Sequence, residues 1–481
     1  MAPIPADPPG QSDIPNVLAS RYAGSEIRRL WSPVGRVVME RELWVAVLEA
    51  QTELGVPVPD GVVDDYRAVI HHVDVSSIRS REEETRHDLA ARIEEFCALA
   101  GHEHIHKGLT SRDVTENVEQ LVIRRSLETL RDKTVAVLAA LAGRAVEYRD
   151  MVMVGRSHNV AAQPTTVGKR LAGAAEETLA AYRRLETLIA GYPLRGMKGP
   201  VGTQQDLLDL FGGDEEAVDR FETMVADGLG FPRRLISVGQ IYPRSLDLEV
   251  VTTLAQLAAG PSNLATTLRL MAGADLASEG FQPGQVGSSA MPHKTNMRTC
   301  ERINGLAVVL GGYLTMAAGL SGHQWNEGDV SDSVVRRVML PDSFFAADGL
   351  LEATLHVVRD MAVFPGRVAE ELAAELPFLS TTRVLLAAVA AGMGREQAHR
   401  VIRSHALQAA AARRAGDDHD LWAWLGDDPA FPLDTRRTRE AATATGLAGR
   451  AGSQVDAVVN SVAETVDARP QAATYRPETL L

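Results

Sequence analysis

Apolar residues along most of this chain return every three or four positions, as on a helix with one buried face, and strand-type alternation is scarce. The clearest case runs from Asp113 to about Tyr148, where there is no proline and no glycine before Gly143. Val114, Val118, Leu121, Leu127, Leu130, Leu138 and Leu141 form its stripe. At ~1.5 Å per residue this segment predicts a helix of roughly 50 Å, with Asp113 at its cap and Glu116 completing a capping box. Further helices are predicted over 164–190, with Pro164 in the first turn, and over 245–279, interrupted at Gly260-Pro261. Two more are predicted from 297 to about 323 and from 332 to about 361. The expected class is all-α. Its expected parts are an N-terminal helical domain (1–112, with the proline-rich 1–15 a mobile tail), a central bundle of long helices (113–364, with a glycine-rich loop at 280–297) and a C-terminal helical domain (365–481).

Composition narrows this little. The chain has 481 residues, 45% hydrophobic and 23% charged, ordinary values for a globular protein. No window reads as a transmembrane helix of about 20 apolar residues, and the N-terminus has no signal-peptide core. With only Cys97 and Cys300, far apart, the chain predicts a reduced cytoplasmic setting and no disulfide framework. A net charge of −14 argues against nucleic acid as a partner, and no membrane partner is expected. An anionic small molecule remains compatible with that charge, because basic residues gather in a few polar connections between the helices.

Four such connections carry reactive groups. TRHD places Arg86, His87 and Asp88 together; a carboxylate beside a histidine fixes its tautomer, although a solvated helix face has the same composition. HEHIHKGLTSRD holds three alternate histidines, but no HExxH-type helix supports a metal site. Its Thr110 and Ser111 stand where a long helix begins, which suits either anion binding or simple capping. GRSHNVAAQPTT carries His158 between long helices, a candidate general acid or base. The run GSSAMPHKTN, 287–296, places Ser288 and Ser289 near Lys294. Tight-loop N–H groups and an ammonium could stabilise a serine oxyanion, whereas Met291 and Pro292 are foreign to a plain flexible linker. The chain has no Gly-x-Ser-x-Gly elbow, phosphate loop or dinucleotide fingerprint. Proton abstraction followed by elimination fits these residues better than acyl transfer or redox chemistry.

GSSAMPHKTN resembles the GSSxMPxKxN signature of the fumarase/aspartase superfamily. Within it the chain looks like a member of the adenylosuccinate lyase family, through RYAGSEI at 21, TRHD at 85, HKGLTSRDVTEN at 106, GRSHNVAAQPTTVGKR at 155, KGPVGTQ at 198 and GQIYPR at 239. The resemblance implies a three-domain helical subunit, a homotetramer with each active site shared between subunits, and no cofactor or metal. It also implies two anionic nucleotide substrates, adenylosuccinate and succinyl-aminoimidazole-carboxamide ribotide, each losing fumarate. By the same carry-over Ser288 is the base, and Lys294, Asn296 and loop N–H groups hold the dianionic intermediate. His158 is the acid and Glu301 orients it. His87, Thr110, Ser111 and Gln240 grip the succinyl part or the base, and His106 lies near the substrate. Arg21, Tyr22, Arg86, Ser333 and Arg336 take the phosphate, and Asp88 and Ser289 belong to the binding set.

The chain departs from the family pattern at Gly328, where many relatives have arginine, at the following SDSVVRR, where Arg336 or Arg337 has to compensate, and at Met297. Rival readings are a carboxymuconate cycloisomerase of the same superfamily and a non-catalytic structural relative. An argininosuccinate lyase fits less well, because its signature usually has glutamine before the lysine.

Overall fold

The computed structural model describes residues 15–280, 291, 294–443 and 445–478. Ser288 and Ser289, most of the 280–297 loop and nearly all of the 1–15 tail lie outside these residues. The elements that matter here begin with the short helices α1 (Val17–Arg21) and α2 (Ser25–Trp31) and the longer α3 (Pro33–Glu53) and α4 (Asp88–Ala100). The longest helix is α5 (Ser111–Glu147), followed by α6 (Val167–Gly191), α7 (Ser245–Leu257) and α8 (Ala259–Gly273). Next come α9 (Arg298–Leu320), α10 (Ser333–Asp360) and α11 (Pro365–Leu379); α12 (Ala451–Ala468) returns to pack on α5 and α6. The fold is mostly helical.

One apolar core runs from Leu18 to Val368 and takes in Val455, so the N-terminal helices and the long bundle share it. A second, smaller core gathers residues from Val384 to Ala442.

The long helix starts earlier than its sequence predicts. Thr110 is the N-cap, and Asp113, three residues on, reaches back to accept the Thr110 N–H at 2.8 Å. Asp113 is fully buried, and its other oxygen accepts from Lys198 N (2.8 Å), Gly199 N (3.0 Å) and Arg195 (2.7 Å). Four donors converge on this one carboxylate, which holds it inside the helix rather than at its cap. Glu116 turns away to Arg244 and takes no part in capping.

The predicted helix over 164–190 also begins later. Residues 152–166 form a hairpin of β1 (Val152–Ser157) and β2 (Val160–Thr166), in which Pro164 pairs with Val154. Both strands of a two-stranded sheet are edges, the places in a sheet where proline is tolerated. Thr166 then caps α6, its hydroxyl accepting the Lys169 N–H at 3.0 Å.

The predicted 245–279 helix is two helices, α7 and α8, that break at Ala258 and end at Gly273. Pro261 in the first turn of α8 has no N–H to continue the ladder. Gly260 lets α8 lie against α6, since a Cβ there would stand 2.6 Å from Thr178 Oγ1. Ala277–Ser278 (β3) pairs antiparallel with Ala362–Val363 (β4), tying the end of this region to the end of α10.

Helix α9 is 23 residues long and apolar enough, by length and composition, to span a membrane. It packs on α10, α7 and α8, yet Val308 is 75% and Met316 44% exposed. Cys97 and Cys300 are buried free thiols.

Candidate active site

The reactive residues fall in separate places along the bundle. At the N-terminal end of α5, His87 caps α4, its Nδ1 accepting the Ala90 N–H at 3.3 Å. Arg86 precedes it in the left-handed region (φ 54), and Asp88 pairs with Arg92 at 3.0 Å; all three are exposed. His106 (φ 66) receives the Trp44 indole N–H on Nδ1 at 3.3 Å, which leaves the ring proton on Nε2. Burial holds the His106 pKa below its ordinary value against the opposing pull of Asp113, so the ring is a neutral donor near pH 7. Thr110 and Ser111 stand half-buried at the same helix end.

A buried ion network braces that end. Glu116 takes Arg244 in a two-pronged contact (2.8 and 3.1 Å), and Arg244 also pairs with Asp332. Arg336 reaches Asp247 (2.7 Å) and Glu119 (2.7 Å) and donates to the Tyr242 hydroxyl, which itself donates to Asp247 at 2.8 Å. Burial works to raise the Glu116 pKa, but Arg244, Arg336 and Arg112 outweigh it and hold the carboxyl below its ordinary value. The network fixes the loop carrying Gln240, whose N–H donates to Glu327 O at 2.6 Å, against the start of α10. Arg336 is thus 4% exposed and surrounded by carboxylates. Ser333 is half-buried, and Arg337, one turn beyond it, is exposed.

A second group lies 22 residues further along α5, about 33 Å away, where Lys133 sits beneath Gly24. Here Arg21 ends α1 and is exposed, while Tyr22 lies against Gly349 of α10, where a Cβ would approach Tyr22 Cβ to 2.7 Å. The Arg302 guanidinium covers the Tyr22 ring at 5.3 Å. One residue before it, Glu301 faces Arg269 at 3.8 Å. Glu301 and Asn296 line a cavity of about 530 Å³ with Arg269 and Thr266, and Lys294 is exposed beside it.

His158 lies on the hairpin that follows the far end of α5. His158 (φ 53) and Asn159 (φ 60) form the two-residue turn of the β1–β2 hairpin, and both are exposed. Consecutive left-handed residues are what a type I′ turn demands. The hairpin borders a cavity of about 810 Å³ whose lining includes Arg156, Asn159, Arg170, Glu177, Asn263 and Arg269. Arg269 therefore joins the surroundings of the hairpin to those of Glu301, although among the described residues Glu301 makes its ion pair with Arg269.

One chain thus brings His87, His106, Thr110, Ser111, Gln240 and Ser333 to one end of the bundle. Helix α5 has 37 residues and is about 55 Å long, and His158 lies on the hairpin that follows its other end. The sequence reading missed Arg269, Arg302 and Arg244. Arg244 sits in the quoted GQIYPR run, but nothing along the chain signals that Glu116 faces inward to meet it.

A family profile described as "Lyase" matches residues 39–312, and one described as "Adenylosuccinate lyase C-terminus" matches 377–458. The chain is 34% identical over 450 residues to adenylosuccinate lyase of Saccharomyces cerevisiae, covering 92% of this chain and 93% of that protein. This chain belongs to the adenylosuccinate lyase family. Family members from Schizosaccharomyces pombe (33% over 92% of this chain and 93% of that protein) and Bacillus subtilis (31% over 82% and 89%) are similar to it as well. In fold it is similar to 3-carboxy-cis,cis-muconate lactonizing enzyme from Pseudomonas putida, with a TM-score of 0.79 at 19% identity over 93% of this chain and 99% of that one.

Against that family background, the geometry at Gly328 gains weight. Its φ is 133, a backbone shape reserved for glycine, and a Cβ there would stand 2.9 Å from Ile241 Cγ1. The loop after Trp325 is shaped for a residue without a side chain.

Proposed function

We propose that this protein is a C–N lyase that releases fumarate from adenylosuccinate, giving AMP, and from succinyl-aminoimidazole-carboxamide ribotide. The observation that carries the reading is the 34% identity to a named adenylosuccinate lyase across 92% of the chain, with the motif residues present in order.

Ser288 removes the proton from the succinyl carbon beside a carboxylate. The electron pair passes into that carboxylate, and Lys294, Asn296 and loop N–H groups stabilise the resulting dianion. The C–N bond then breaks as His158, oriented by Glu301, protonates the departing nitrogen. His87, Asp88, His106, Thr110, Ser111, Gln240 and Ser289 hold the succinyl part and the base. Arg21, Tyr22, Arg86 and Ser333 take the phosphate. Because Arg336 is already paired with Asp247 and Glu119, the exposed Arg337 supplies the cation beside Ser333.

Four copies assemble so that α5 of one chain lies beside that of another, and each site draws on several chains. Two features support this: the proposed acid and the succinyl-binding group lie at opposite ends of a helix about 55 Å long, and α9 leaves Val308 and Met316 uncovered. A cytoplasmic location fits two buried free thiols.

The deciding experiment mixes purified protein with adenylosuccinate and follows ultraviolet absorbance for AMP and fumarate. Turnover is expected. Inactivity toward both purine substrates, with turnover of a carboxymuconate, overturns the reading. Ser288→Ala should abolish turnover with the assembly intact, and a near-normal rate would identify a different base.

A further inference from the structure

We propose that the C-terminal segment Tyr475–Glu478 is a strap that positions the Arg21–Tyr22 segment for the nucleotide end of the substrate, with Glu478 as the positioning residue. The idea rests on the reading of Arg21 and Tyr22 as phosphate contacts.

Helix α2 begins directly after Tyr22-Ala23-Gly24, and its N-cap is Gly24, which has no side chain to offer the free N–H groups. Glu478 supplies the cap from the other end of the chain. Its carboxylate accepts the Ser25 N–H at 2.9 and 3.0 Å and the Ser25 hydroxyl at 2.6 Å. The Gly24 N–H goes instead to Asp348 at 2.6 Å. Beneath the segment, Lys133 is 5% exposed and binds Asp348 (2.5 Å) and Glu352 (2.6 Å). Glu352 in turn accepts the Tyr475 hydroxyl (2.5 Å) and the Glu478 N–H (2.8 Å). His356 contacts Glu478 O at 2.7 Å, and Arg359 donates to Tyr475 O at 3.1 Å.

The residues just after Arg21 and Tyr22 are therefore held from below by α10 and closed from above by the C-terminal segment. Tyr22 itself is trapped between Gly349 and Arg302. Arg302 follows Glu301, so the same packing links the phosphate end of the proposed site to its chemical end. Such a web of charge-assisted hydrogen bonds fixes one loop geometry. The Glu478 side chain is 40% exposed, so its loss should loosen the loop without opening the core.

The test is Glu478→Ala in the full chain, alongside wild type. Hydrogen–deuterium exchange should rise over residues 21–31, with the melting temperature and assembly unchanged. AMP should bind about tenfold more weakly, the loss expected for a charge-assisted hydrogen bond. KM for adenylosuccinate should rise by the same factor, with kcat and inhibition by fumarate unchanged. Glu478→Gln, which keeps one acceptor, should recover part of the AMP affinity. Unchanged exchange over 21–31 overturns the strap whether or not the protein is a lyase. Raised exchange with unchanged AMP affinity, or an equal loss for AMP and fumarate, overturns its positioning role. A wild-type protein that turns over neither purine substrate refutes the reaction reading alone, because exchange still decides the strap.

Discussion

Gly328 and His158 both sit at positive φ, and they show how differently single residues can be read. His158 stood out as a candidate because an imidazole flanked by Arg156 on a short polar connection has little structural purpose, and its exposed place at a turn is compatible with that reading. Its hairpin was not legible: a His-Asn pair gives a weaker turn signal than Asn-Gly, and the strands are short. Gly328 was legible only as a departure, and its cause needed the contact with Ile241. Replacing Gly328 by Arg should therefore cost about 1–3 kcal/mol of stability through backbone strain. Thermal melting would show it, and an unchanged midpoint would mean that the loop adapts at no cost. His158→Gln should leave melting unaltered, since the side chain is exposed at a turn, but reduce kcat by roughly 10²–10⁴ for loss of a general acid. A kcat within tenfold of wild type would move the acid elsewhere.

Among the elements, the N-terminal ends of α5, α7 and α10 are joined through Glu116, Arg244, Asp247, Asp332 and Arg336. Glu116 is 1% exposed and faces both Arg244 and Arg336, so Glu116→Gln removes one buried negative charge from the network while Asp332, Asp247 and Glu119 keep both guanidinium groups paired. The expected loss is about 1–3 kcal/mol, that of a weakened buried charge-assisted contact, read by denaturant unfolding; a loss below the usual surface-mutation scatter would mean that the remaining carboxylates or water replace it. Because the folded pKa of Glu116 lies below the ordinary 4.5, its contribution is fully present above that pH. It fades as pH falls through the lowered value, so Glu116→Gln should flatten the acid limb of the stability profile. Helical periodicity announced α5, α6, α9 and α10 and read α7 and α8 as one interrupted helix, since apolar stripes record burial directly; it gave no range for α3 or α12. Boundaries were less legible. The start of α5 depends on Asp113 meeting Arg195 and Lys198, and that of α6 on Pro164 finding a place in an edge strand. Both depend on partners distant in sequence.

For the whole molecule, the signature run and the motif order made the family legible, whereas the sharing of sites followed only from the resemblance. Periodicity within one chain reports which face is apolar but not which copy covers it. The uncovered side of α9 and the separation along α5 supply the physical argument. If sites are shared, mixing inactive Ser288→Ala and His158→Ala proteins and allowing subunit exchange should restore roughly a quarter of wild-type activity by random assembly of symmetric tetramers. Light scattering would confirm the mass of four chains. Persistent inactivity after proven exchange would place both residues on one chain.

Helix α5 also constrains how this sequence can change over evolutionary time. It works as a ruler, with the requirements of one site written at one end and those of another at the opposite end. Inserting a single residue near Leu130 would rotate everything beyond it by about 100° and lengthen it by about 1.5 Å. The stripe would no longer face one core, and the hairpin bearing His158 would be turned relative to the N-terminal end of α5. Insertions near whole numbers of turns would keep the stripe but mismatch the two ends. Substitutions on the exposed face of α5 are thus easier to accommodate than a change in its length, which its buried stripe and the packing at both ends fix.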